Sequence, residues 1–109
     1  MTTLDLPPVC QDVDLPDSVR RLIPKLPILY PINRIILYGS RARKDQKYYS
    51  DIDLAFDAPD MTDDDFLDMS YLLDAARTLY KIDYVHLQRT KGPFRENVMN
   101  DGVVLYEKI

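Results

Sequence analysis

The chain has 109 residues, 46% hydrophobic and 29% charged, with 14 Lys and Arg against 18 Asp and Glu and a net charge of −4. That length allows one domain with one modest core, and the acidic balance argues against direct nucleic-acid binding, which needs a basic face. The single Cys10 allows no intrachain disulfide, no Cys/His cluster suits zinc, and no leader or long apolar span stands in the chain, so a cytoplasmic protein away from membranes is expected.

Residues 1–16 hold Pro7, Pro8 and Pro16 among scattered Asp residues without periodicity, which reads as an irregular N-terminal arm. The ordered domain is expected over 17–109. Asp17 is placed to cap a short helix over Ser18–Ile23, which Pro24 disrupts or ends. Pro24, Pro27 and Pro31 then make the approach to the first strand stiff rather than helical. That strand is Arg34–Tyr38, too continuously apolar to lie half in water. It runs into Gly39-Ser40 and a short helix to about Lys44. Tyr48-Tyr49 close the following loop, where ordinary packing is favoured over stacking on a base. A second strand covers Ile52–Phe56.

Residues 57–68 carry six Asp and no basic residue. Helix capping explains them better than metal binding. Thr62 is a good N-cap, Asp63, Asp64 and Asp65 fill the first turn where negative charge suits the dipole, and Met61 can staple to Phe66. The helix is expected to reach about Tyr80, with Phe66, Met69, Leu73, Ala76 and Tyr80 on one stripe. The third strand is Ile82–Leu87. Its Asp83 is expensive to bury unpaired, so it should face a charged site or solvent, while His86 points to the other face as a packed or surface residue. Gly92-Pro93 opens a short helix to about Asn100, Gly102 ends it, and Val103–Tyr106 forms a last strand. This order specifies an α/β domain of two layers, a small mixed sheet with helices packed on it. No P-loop motif is present.

The chemistry concentrates in residues 34–54. A Gly ending a strand lets the backbone turn sharply and approach a ligand. If Ser40 opens a helix, its hydroxyl and the first-turn N–H groups form an anion site, to which Arg41 and Arg43 add positive charge. Asp51 and Asp53 stand at i and i+2 of a strand, so they share a face with carboxylates roughly 7 Å apart. At an effective dielectric near 20 they repel by roughly 2 kcal/mol. That is tolerable without metal, so an Asp-x-Asp alone decides little. Beside a phosphate cradle the pair suits divalent ions; hard carboxylate oxygens favour Mg²⁺, with substrate phosphates completing its shell. Cradle and clamp together describe phosphoryl or nucleotidyl transfer.

Gly39-Ser40, ten residues, then Asp51-Ile52-Asp53 resembles the GS-x10-DxD signature of the polymerase-β-type nucleotidyltransferases. In detail, Tyr-Gly-Ser-Arg-Ala-Arg and Ser-Asp-Ile-Asp-Leu-Ala are similar to the minimal nucleotidyltransferases, the MntA-like antitoxins, over roughly residues 28–109. Lys44 stands where that family often has Gly. The resemblance implies the two-layer nucleotidyltransferase fold, and Asp83 as a third carboxylate beside Asp51 and Asp53. It implies two Mg²⁺ ions on those three residues, and ATP as donor, its triphosphate held by Gly39, Ser40 and Arg41 or Arg43. It further implies AMP transfer to a hydroxyl of a HEPN-domain toxin within a hetero-oligomer. The competing expectation is an antitoxin that neutralises its toxin by binding alone.

Overall fold

Five residues of sheet-forming sequence, Arg34–Tyr38, make the central strand β1. On one side β1 pairs antiparallel with β2 (Ile52–Asp57), on the other with β4 (Val103–Glu107). Strand β3 (Ile82–His86) lies parallel to β2, so the mixed sheet has the order β3-β2-β1-β4. The computed structural model describes residues 13–45, 51–75 and 81–108. Cys10, the Tyr48-Tyr49 pair and the expected helix end near Tyr80 lie outside them.

Ile35, Ile36 and Leu37 are all buried because both faces of β1 are covered, which is why the strand reads as a continuous apolar run. The larger core lies on one face. There Ile35, Leu37, Ile52, Leu54 and Phe56 meet Val19, Ile23 and Leu26 from the N-terminal helices and Met69 and Leu73 from α4 (Asp63–Ala75). On the opposite face Ile36 and Ala55 meet Leu87 and Val98, the latter from α5 (Gly92–Asp101). Each fully buried side chain of this size contributes about 1.5–3 kcal/mol. The α/β mixed sheet is as expected, with a thin cover on its second face.

The start of α4 follows the capping argument. The Asp65 amide donates to Thr62 Oγ1 at 3.1 Å and the Thr62 amide to Asp65 Oδ2 at 3.2 Å, a reciprocal capping box. Its acidic turn is partly neutralised from within the chain, since Asp63 pairs with Arg89.

The N-terminal segment departs from expectation. Helix α1 (Asp17–Leu22) continues through a 3₁₀ turn (Ile23–Lys25) into α2 (Leu26–Leu29). Pro24 and Pro27 each stand in the first positions of their segment, where no N–H is needed and a fixed φ suits a helix. They segment the helix rather than abolish it. Before it, Val13 and Leu15 are irregular yet buried in the main core. No described helix is long and apolar enough to cross a membrane.

Candidate active site

Because β2 runs antiparallel to β1 and parallel to β3, the end of β1 meets the starts of β2 and β3 at one edge of the domain. Asp53 is there in register with Tyr38 on one side and with Asp83 on the other. Residues in register point to the same face of a sheet, so Tyr38, Asp53 and Asp83 form a row on the α5 face. Asp51 is exposed, just ahead of β2.

Gly39 follows β1 with φ 74° and ψ −157°, a conformation that side chains rarely tolerate. Space is as restrictive as conformation. A Cβ on Gly39 would lie 2.3 Å from Asp53 Oδ2 and 3.2 Å from its Cγ. The missing side chain is what lets the backbone turn past this carboxylate. Helix α3 (Ser40–Arg43) starts immediately, with the Gly39 carbonyl accepting from the Ala42 and Arg43 amides at 3.1 Å. Ser40 is half-buried at the head of that turn. Lys44 then ends α3 in the left-handed region, φ 64° and ψ 27°, which explains why glycine suits this position.

Asp53 carries the electrostatic load. Burial, the charges of Asp83 and Asp51 and a hydrogen-bonding contact with Asp83 hold its carboxyl above the ordinary value, and the Arg43 guanidinium pulls it partly back. Burial, then the charges of Asp53 and Asp83, likewise push the Tyr38 phenol up to about 12, so it stays protonated. Lys81 Nζ stands 3.4 Å from Asp83 Oδ1.

The two arginines part company. Arg43 is half-exposed, 3.3 Å from Asp45 Oδ2, and its charge reaches Asp53. Arg41 is only 3% exposed, and its Nη1 donates to the Asp14 carbonyl at 3.0 Å. Of the two expected phosphate contacts, Arg43 therefore stands at the site and Arg41 ties α3 to the N-terminal arm. His86 is buried, as expected of a packed residue. Its Nε2 lies 2.8 Å from the Ala58 carbonyl, and its ring stacks on Phe66.

Among the described residues no three His, Cys, Asp or Glu side chains gather tightly enough to enclose a metal. Mg²⁺ does not require such a cage: it uses one or two carboxylates, keeps waters and takes substrate phosphates as ligands. An all-oxygen set of Asp53 and Asp83 with Asp51 nearby, mutually repelling as it stands, fits an ion that arrives with a nucleotide.

One feature has no signal in the sequence pattern. Phe94, in the first turn of α5, packs edge-to-face on Tyr38 with ring centroids 5.5 Å apart. Tyr38 could have been noticed as the residue preceding Gly39; Phe94 is brought there by the tertiary fold alone.

A mixed sheet whose strand-to-helix glycine turn faces carboxylates on two neighbouring strands matches the arrangement expected of a nucleotidyltransferase. The chain belongs to the family described as Polymerase beta, Nucleotidyltransferase, which matches residues 22–109. Comparison with curated protein sequences gives no match. Among solved structures, the chain is similar to a mutant of the toxin-antitoxin MntA-HpeT, with 24% identity, TM-score 0.63, and 82% of this chain and 73% of that chain covered. A toxin-antitoxin with AMP-PNP shares 23% identity at TM-score 0.60, over 85% and 75% of the two chains. A Sulfolobus solfataricus structure shares 19% identity at TM-score 0.56, over 84% and 78% of the two chains. At these identities the likeness is one of fold.

Proposed function

We propose that this chain is an Mg²⁺-dependent nucleotidyltransferase that moves AMP from ATP to a hydroxyl of a partner protein, as the antitoxin of a pair with a HEPN-domain toxin. The observation that carries the chemistry is the register of Asp53 beside Asp83 with the Gly39 backbone against Asp53. Support for donor and partner comes from the toxin-antitoxin structures of like fold, one of them with AMP-PNP.

In this reading Gly39 and Ser40 bind the β- and γ-phosphates, and Arg43 neutralises part of their charge. Asp51, Asp53 and Asp83 would hold Mg²⁺, which when bound offsets charge on the phosphates and on the leaving pyrophosphate. Asp83 also orients the acceptor hydroxyl and takes its proton as the oxygen attacks the α-phosphate in line. One P–O bond forms to the acceptor, the bond to the β-phosphate oxygen breaks, and pyrophosphate leaves. The protein supplies mainly position and charge, as phosphoryl-group chemistry requires.

The test is incubation with Mg²⁺ and labelled ATP, alone and with the HEPN partner, followed by intact-mass measurement. The partner should gain the mass of AMP on a hydroxyl side chain and stay inactive after separation. The Asp51→Asn/Asp53→Asn variant should transfer nothing. A partner fully neutralised yet unmodified would overturn the proposal in favour of binding alone.

A further inference from the structure

The aromatic pair beside the carboxylates is not used by the chemistry above. Tyr38 and Asp53 are register partners on the same face, and Tyr38 is joined directly to Gly39. Phe94 stands on Tyr38 at 89° between ring planes. A phenylalanine that only filled space between α5 and the sheet would be buried, as Val98 is at 1%. Phe94 is instead 42% exposed. In the same first turns Pro93, Arg95 and Glu96 are exposed too, so α5 leaves this end open to solvent. The result is an aromatic pair with a solvent-facing ring, its inner member Tyr38 in the same row as the carboxylates.

We propose that Phe94, braced by Tyr38, is the stacking platform for the nucleobase of the donor nucleotide. The inference rests on the nucleotidyl-transfer reading, because it needs phosphates at Gly39 and Ser40. A nucleotide held there has its phosphates against the residues immediately after Tyr38, and its planar base is the part left to find a partner. An exposed aromatic ring meets a base through its π-face without a fixed hydrogen-bond pattern. The platform therefore contributes affinity and orientation, with weak discrimination between purines. Bracing matters because a ring already held edge-to-face loses little freedom when the base arrives.

The experiment compares ATP with inorganic tripolyphosphate, each with Mg²⁺, by calorimetry on the parent, Phe94→Leu and Phe94→Tyr. Leucine keeps apolar packing on Tyr38 and removes the π-face; tyrosine keeps both. Phe94→Leu should weaken ATP binding roughly 5- to 150-fold, the range of one base–aromatic stack. Tripolyphosphate affinity should not change, since it has no base, and Phe94→Tyr should bind ATP like the parent. Equal losses for both ligands would mean that Phe94 merely supports the phosphate site, and no loss for either would mean that the base lies elsewhere. Either result overturns the assignment of Phe94. A parent protein that binds neither ligand would instead remove the nucleotide reading, and this inference with it.

Discussion

Asp53 ionises against the preference of its surroundings. Its carboxyl is held above the ordinary value by burial and by Asp83 and Asp51. A group whose folded pKa is raised stabilises the protein below its unfolded value and loses that contribution as pH rises through the folded value. Above the folded value the Asp53 charge therefore costs the metal-free protein stability. Asp53→Asn should leave metal-free thermal stability unchanged or raised while abolishing nucleotidyl transfer. A clearly lowered melting temperature would show that the carboxylate has a structural role. Gly39→Ala makes the opposite case. Its Cβ meets Asp53 Oδ2, and its φ 74° with ψ −157° is a conformation essentially confined to glycine, so denaturant unfolding should show a loss of about 1–3 kcal/mol from the backbone alone, with Mg-ATP binding lost. Lys44 stands in the left-handed α region, φ 64° and ψ 27°, a milder strain and without the contact. Lys44→Gly should stabilise by about 0.5–1 kcal/mol, the left-handed cost of about 1–2 less the unfolded-state entropy that glycine adds.

At the scale of elements, the end of the sheet opposite the site is tied by Asp57 at the close of β2. Arg34 Nε from β1 donates to Asp57 Oδ2 at 2.7 Å, and Gln88 Nε2, just after β3, donates to Oδ1 at 2.5 Å. Gln88 Oε1 also accepts from the Ala58 amide at 2.8 Å. Burial alone would raise the Asp57 carboxyl, but the bonds from Gln88 and Arg34 outweigh it and hold it below the ordinary value. A depressed carboxylate stabilises above its unfolded pKa and loses that contribution as pH falls through the folded one. Asp57→Asn should cost about 1–3 kcal/mol at neutral pH. The difference from the parent should shrink as pH is lowered below the ordinary carboxylate value. Urea unfolding at neutral and acid pH checks both parts. A constant difference across that range would remove charge from the explanation.

Across the whole molecule, the described end of the N-terminal arm belongs to the core more than its irregular sequence suggests. Val13 and Leu15 are buried, Arg20 reaches the Val13 carbonyl, and the buried Arg41 donates to the Asp14 carbonyl. The arm thus packs the helix that follows the glycine turn. We propose that the folding unit starts no later than residue 13. A chain cut to 17–109 should lose at least about 3 kcal/mol, from two apolar side chains at about 1.5–3 kcal/mol each. The measurement is a urea titration of the two lengths. Equal midpoints would restore a boundary at residue 17.

Local patterns in the sequence were enough for the strands, the Thr62 N-cap and the Gly39-Ser40 turn. Each depends on residues a few positions apart, whose periodicity, capping chemistry and backbone freedom act before any tertiary contact forms. From its own strand Asp83 was legible as an ill-placed carboxylate, and only the family resemblance paired it with Asp53, because the two meet by register across thirty positions. The separate fates of Arg41 and Arg43, the burial of Val13 and Leu15 and the meeting of Tyr38 with Phe94 were decided by packing. In each case the deciding neighbour comes from a distant element: the arm, the core face or α5. Local sequence specifies what a side chain is, and only the closed sheet and its helices decide what it faces.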